Sequence, residues 1–309
     1  MNENSRAVIT FCSYLCSGDD DSIKPLTPSE WSRLAELLKT KGIEPKDIHG
    51  MTEKDIASLL ECGKDFANRL ARLSERSAGL FVEVSRYLNM GIKIYTRADR
   101  EYPAILKKKL GRKCPPLFYC AGNIGLLRFK YAGWQGSRNI DENDADFARN
   151  AVIKAASHGF AVVSGGAKGS DSVAFETALS ERIPIIEYIS CGIIQRLRNP
   201  SARKAAADGR ILILSASVPE AGFNTGMAMS RNKYIYAQSF GSVIIKSELK
   251  KGGTWAGAVE NLKNKWCSLF CRDINYPGNQ ELIRLGAIPV NENWDGNFSG
   301  HSEQKELIF

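Results

Sequence analysis

Between residues 92 and 290 the chain alternates short β-branched or aromatic runs with segments of helix length, and this alternation restricts the fold more than any other feature. Strand-like runs recur at 92–95, 129–134, 160–163, 183–188, 211–214, 242–246, 266–271 and 288–290. Helix-like stretches separate most of them, at 144–158, 170–181, 201–208, 229–238 and 254–264. A hairpin needs only a short turn, whereas a parallel crossover needs about a dozen residues or more, so this spacing predicts parallel βαβ units. The expected class is α/β: an extended Rossmann-like, doubly wound, mostly parallel sheet with right-handed crossovers and helices on both faces.

Ahead of this region the pattern is helical. Trp31, Leu34, Leu37 and Leu38 form one apolar stripe, Ile56, Leu59 and Leu60 a second, and Phe66, Leu70 and Leu73 a third. Thr27-Pro28-Ser29-Glu30 and Thr52-Glu53-Lys54-Asp55 have the form of helix starts, and Gly42 and Gly63 fall in the turns. The 309 residues therefore divide into a helical domain at 1–88, of SAM-like or helix-hairpin type, a Rossmann-like domain at 89–291, and a polar tail at 292–309 that is expected to be loose. The apolar run at 7–16 is too short to span a bilayer and reads as a buried helix, so no membrane association is expected. Eight cysteines scattered along a chain with no secretory signal predict reduced thiols and a cytoplasmic location.

In a parallel sheet every strand-to-helix turn falls on the carboxyl edge, where helix N-termini present free N–H groups. Three of these turns combine glycine with cations or hydroxyls: Gly136-Ser137-Arg138, Ser164-Gly165-Gly166-Ala167-Lys168-Gly169-Ser170-Asp171, and Lys250-Lys251-Gly252-Gly253-Thr254. Ser230-Arg231-Asn232-Lys233-Tyr234 reads as the start of another helix facing the same edge. Glycine lets backbone approach an anion, hydroxyls donate to it, and Arg or Lys adds charge-assisted bonds, so the turns together predict a phosphate-binding crest. Forty-two Lys and Arg against 34 Asp and Glu, a formal +8, fit a polyanionic partner.

Neither a GxGxxG nor a GxxxxGK[ST] pattern occurs, so NAD and ATP are poorly supported and no cofactor is expected. Asp171 can be a general base, but just inside a helix start a dipole-complementing cap is the simpler reading. His49, His158 and His301 lie in three separate regions, and no catalytic group emerges. The spacings Cys12/Cys16 and Cys267/Cys271 suit zinc, yet strand alternation puts Cys267, Leu269 and Cys271 on one core-facing side, so no metal site is expected.

These pieces, in order, resemble the DNA-processing protein A family (DprA, also called Smf) over about residues 92–291. The match runs through Tyr102-Pro103-Ala104-Ile105-Leu106, Pro115-Pro116-Leu117-Phe118 with Gly122-Asn123, Gly136-Ser137-Arg138, and Val162-Val163 leading into the loop from Ser164 to Asp171. It continues through Ser190-Cys191-Gly192, Arg231-Asn232-Lys233, Gly252-Gly253-Thr254 and the stretch 279–287. The resemblance implies a protein that binds single-stranded DNA without catalysis, often as a homodimer, and passes it to a RecA-type recombinase in DNA uptake, natural transformation and recombination. It carries Arg138 and Lys168 over directly as backbone-binding cations. The sequence departs from the family in its first core strand, Tyr131-Ala132-Gly133-Trp134-Gln135, and in Met227-Ala228-Met229-Ser230, where Phe-Pro-x-Arg is usual. The C-terminal winged-helix domain of many members is not expected here, and the family also has phage-encoded and defence-associated members. A second reading is a sensor or enzyme for a nucleotide-derived ligand: Gly252-Gly253-Thr254 followed by Glu260 loosely resembles the phosphoribohydrolases of a related fold, whose full PGGxGTxxE pattern is missing.

Overall fold

The computed structural model describes residues 1–16 and 23–299, and the chain divides into two compact units. One comprises Met1–Ala121 with Ser215–Ala221, the other Gly122–Leu214 with the chain from Gly222 onward.

The first unit begins with α1 (Glu3–Cys12), whose Val8, Ile9 and Phe11 are wholly buried as the apolar run predicted. Arg76 gathers the carbonyls around its end, donating to Thr10, Ser13 and Leu15, so that a buried helix terminus keeps its hydrogen bonds. In α2 (Pro28–Thr40), Thr27 and Glu30 form a reciprocal capping box. Thr52 caps α3 (Glu53–Leu60), which turns through a left-handed Glu61 and packs on α4 (Lys64–Glu75); α5 (Ser77–Asn89) follows. β1 (Lys93–Thr96) then pairs antiparallel with β2 (Leu117–Gly122), with α6 (Ala104–Leu110) between them. β2 is absent from the sequence reading because it starts directly after Pro115-Pro116, which mark a link; proline is tolerated just before a strand's first ladder bond. This division groups the antiparallel pair with the helices, whereas the sequence reading assigns it to the second domain.

The second unit contains β3 (Lys130–Gln135), α7 (Glu142–Ser157), β4 (Phe160–Ser164), α8 (Ser170–Ser180), β5 (Ile185–Ile189), α9 (Ile193–Leu197), α10 (Pro200–Ala207), β6 (Ile211–Ser215), α11 (Thr225–Gln238), β7 (Gly241–Ile244), α12 (Gly252–Asn264), β8 (Ser268–Arg272), α13 (Pro277–Arg284) and β9 (Ile288–Val290). Its strands lie in the order β6-β5-β4-β3-β7-β8-β9. The β4–β5, β3–β4, β3–β7, β7–β8 and β8–β9 pairs are all parallel, and the fold is the Rossmann-like, mostly parallel α/β class expected. From β3 the chain winds outward through β4, β5 and β6, then returns to β7 on the other side of β3 and winds the opposite way. The β3/β7 junction is therefore the topological switch point, where ligands of such sheets bind outside the carboxyl ends.

The expected loose tail is a misreading over its described part. Phe298 is wholly buried, with ring centroids 4.9 Å from both Phe160 and Phe270, and Trp294 stacks on Phe270 at 5.6 Å. Two aromatics among polar neighbours are enough to pin the segment that follows the last strand. Residues 300–309, with His301, lie outside the described residues. No disulfide joins any of the eight cysteines, and no helix among the described residues is long and apolar enough to cross a membrane.

Candidate nucleic-acid interface

The turn after β3 is the hub of the carboxyl edge. Ser137 N donates to Lys246 O beyond β7 at 2.8 Å, and Ser137 O accepts from Ser170 N at 3.2 Å and Ser170 Oγ at 3.3 Å, at the start of α8. Thr254 Oγ1, in the first turn of α12, donates to Gly136 O at 2.9 Å. Gly169 has φ +77° and a Cβ there would stand 2.4 Å from Ser137 O, so glycine is what lets the second loop lie on the first. The three turns singled out by sequence are thus stitched into one surface at the switch point. The stitching uses the hydroxyls of Ser170 and Thr254, while Ser137 Oγ accepts from Asn139 N at 3.0 Å.

Beneath this surface lies a charged layer. Asp171, in the first turn of α8, turns back so that its Oδ2 accepts from Gly165 N at 3.1 Å and Ala167 N at 3.4 Å, which fixes the path of the glycine loop. Arg231 Nη1 stands 3.9 Å from the same oxygen, and a Cβ on Gly165 would fall 1.4 Å from that Nη1. Burial pushes the Asp171 carboxyl up and the Arg231 guanidinium down, each opposed by the other's charge. On β5, the wholly buried Glu187 is held by Arg196 at 2.6 and 2.8 Å.

One placement corrects the sequence reading. Ser230 to Tyr234 is not a helix start: α11 begins at Thr225, where Asn224 Oδ1 accepts from Met227 N, so the cluster falls in the second turn. Arg231 is only 7% exposed and Asn232 is buried, its Nδ2 donating to Gly253 O at 2.9 Å. Lys233 is half-buried, its ammonium 5.6 Å from the Tyr234 ring centroid. Ser164 and Gly165 are buried as well, and Gly166 and Gly253 half-buried.

What stands exposed at the rim is Arg138, Lys168, Lys251 and Gly252. Both α8 and α12 begin without a side-chain cap, at Gly169 and Lys251, whereas α2, α3 and α7 are capped by Thr27, Thr52 and Asp141. Two uncapped helix N-termini beside exposed cations have the chemistry that suits an anion. At the α7 start, by contrast, Asp144 takes Lys246 at 2.7 Å and Arg272 at 2.7 Å, so those cations are already engaged.

Sequence reasoning missed Phe223. It precedes the Asn224 cap, is 53% exposed, and its ring centroid lies 5.4 Å from the Arg138 guanidinium carbon. The available signal is a ring in a turn, Gly222-Phe223-Asn224, outside any apolar periodicity that would bury it. Glu260 lies seven residues along α12 from Gly253, about 10 Å by helix rise, and so does not stand at the glycine turn. Among the described residues, no group of three or more His, Cys, Asp and Glu is placed to hold a metal ion.

No curated protein matches the chain by sequence. Among solved structures, it is similar to DNA processing protein A (DprA) from Streptococcus pneumoniae, with a TM-score of 0.65 and 20% identity over 86% of this chain and 95% of that one. It is also similar to DNA processing protein A from Helicobacter pylori, a structure described for its single-stranded DNA binding mode, with a TM-score of 0.54 and 24% identity over 66% of this chain and 93% of that one. At such identities the likeness establishes the fold. The family of DNA recombination-mediator protein A matches residues 93–295, well over half of the chain, and so the protein belongs to that family.

Proposed function

We propose that the crest binds the sugar–phosphate backbone of single-stranded DNA. The observation that carries this reading is the convergence, at the β3/β7 switch point, of exposed Arg138 and Lys168 with two uncapped helix starts and the exposed Phe223 ring. Cations and N–H groups suit phosphate, and a ring flanked by a guanidinium suits an unpaired base, which duplex DNA does not offer. The single-stranded DNA binding described for the Helicobacter pylori relative supports the same ligand. Arg231, Asn232 and the Gly165 backbone act from below, holding the loops rather than touching the strand. Asp171 is spent in orienting the glycine loop, so the reading includes no catalytic step. Family membership supports a cytoplasmic role in recombination, with transfer of the strand to a RecA-type recombinase and a homodimer as the working assembly.

The test is fluorescence anisotropy with a labelled oligothymidine across a salt series. Log K should fall with log salt by about 0.7 per phosphate neutralised. Arg138→Ala and Lys168→Ala should each weaken binding about tenfold to a hundredfold, the loss of one charge-assisted contact of roughly 1.5–3 kcal/mol, with the melting temperature unchanged. Folded variants that bind as tightly as the parent would remove the crest as the DNA site.

A further inference from the structure

A second basic surface lies in the first unit, on residues the crest does not involve. The segment 97–113 holds seven cations, Arg97, Arg100, Lys107, Lys108, Lys109, Arg112 and Lys113, against two acids, Asp99 and Glu101. Asp99 is turned onto its own neighbours, accepting from Thr96 N at 2.7 Å, Thr96 Oγ1 at 2.9 Å and Ser5 Oγ at 2.5 Å. Lys107 to Lys109 form the last turn of α6, and Arg112 and Lys113 the 3-10 turn that follows. One cation is enough to complement a helix C-terminus, and this one has three with two more beyond it. Arg100, Lys107, Lys108, Arg112 and Lys113 are all exposed.

The fold pairs one cation of the patch, Arg112, and leaves others of it open. Lys107 Nζ donates to Arg97 O at 3.3 Å, drawing the two ends of the segment together. The 3-10 turn packs on α2, where Glu36 meets Arg112 at 2.6 Å; Arg112, Arg97 and Arg33 together hold the Glu36 carboxyl below its ordinary range. Among the described residues, no acid lies within ion-pair distance of Lys108 or Lys113. The one ring of the segment is withdrawn: Tyr102 is buried and stacks on the buried Phe118 of β2 at 5.6 Å. No ring of the segment is exposed, so its chemistry is that of phosphate.

We propose that this surface binds the phosphate backbone of duplex DNA, independently of the crest. The exposed ring that suits unpaired bases at the crest is missing from this surface.

The experiment titrates the full chain and a Lys107→Gln/Lys108→Gln/Lys113→Gln variant against a blunt duplex and a short oligothymidine across salt, with Lys54→Gln, exposed in α3, as control. The triple variant should lose at least tenfold in duplex affinity, and its duplex salt slope should flatten by about 0.9 per lysine that contacts phosphate. Its oligothymidine affinity should stay within twofold of the parent. Should the triple variant melt early, Lys108→Gln and Lys113→Gln singly carry the same expectation at smaller size. Unchanged duplex binding overturns the proposal. So does a parallel fall for both probes, or binding of phosphatidylglycerol vesicles by a parent that does not bind duplex. The Arg138→Ala/Lys168→Ala variant separates this from the crest: it should lose the oligothymidine and keep the duplex, so either site can fail without the other.

Discussion

Phe223 and Gly165 mark the two kinds of residue on which the crest depends. Phe223 leaves half its surface in water with a guanidinium carbon 5.4 Å from its ring centroid, an arrangement that leaves ring surface open to a base. Phe223→Ala should weaken oligothymidine binding by about 1–3 kcal/mol per stacked base, roughly fivefold to a hundredfold, and Phe223→Trp should retain it, both read by anisotropy. Gly165 works the other way, since its missing Cβ is the space Arg231 occupies. Gly165→Ala should displace Arg231 from Asp171 and leave a buried carboxylate without its counter-charge, a change that typically costs about 3–5 kcal/mol. Chemical denaturation should record that loss, together with weaker DNA binding as the glycine loop shifts. At this scale the position of Arg138 and Lys168, exposed on turns at the carboxyl edge, was legible because both follow core strands in glycine-containing turns. Arg231 was misjudged because sequence does not reveal which way a helix face turns.

Among the elements, side-chain caps close α2 and α3, whereas α4, α5, α6, α9 and α13, like the two crest helices, begin without one. Thr27 and Thr52 were readable as caps, and their helices are closed by their own side chains; the two helices that open onto the crest carry Gly169 and Lys251 at that position instead. In α2 the capping Glu30 also meets Arg69 at 2.7 Å, and that pairing lowers its carboxyl from 4.5 to about 2. A carboxyl depressed by folding contributes stability above its ordinary value, and that contribution is lost as pH falls from 4.5 toward 2. Glu30→Gln can keep the cap's hydrogen bond but not the charge. The parent's melting temperature should therefore decline more steeply than the variant's across that window, and identical slopes would show that the pairing adds nothing. The elements missed by sequence include β2, hidden behind two prolines, the short helices α6, α9 and α13, and the first turn of α11.

For the whole molecule, the described end of the chain belongs to the core. Phe298 fills the space between Phe160 and Phe270, so Phe298→Ala should destabilise by about 3–5 kcal/mol in urea unfolding. A loose tail would tolerate the same change within about 0.5 kcal/mol. The alternation of strand-like and helix-like segments was sufficient by itself to determine the parallel α/β class, because side-chain period and crossover length are local properties. It also located the glycine turns on one edge of the sheet, since every βα turn of a parallel sheet ends there. Only the tertiary structure decided that β7 returns beside β3, making their turns the switch point, that Arg231 faces inward onto Asp171, and that Phe223 stands beside Arg138. Each of those facts joins residues distant in sequence through strand order or packing, which depend on the burial of the whole core and leave no signature in any local stretch of chain.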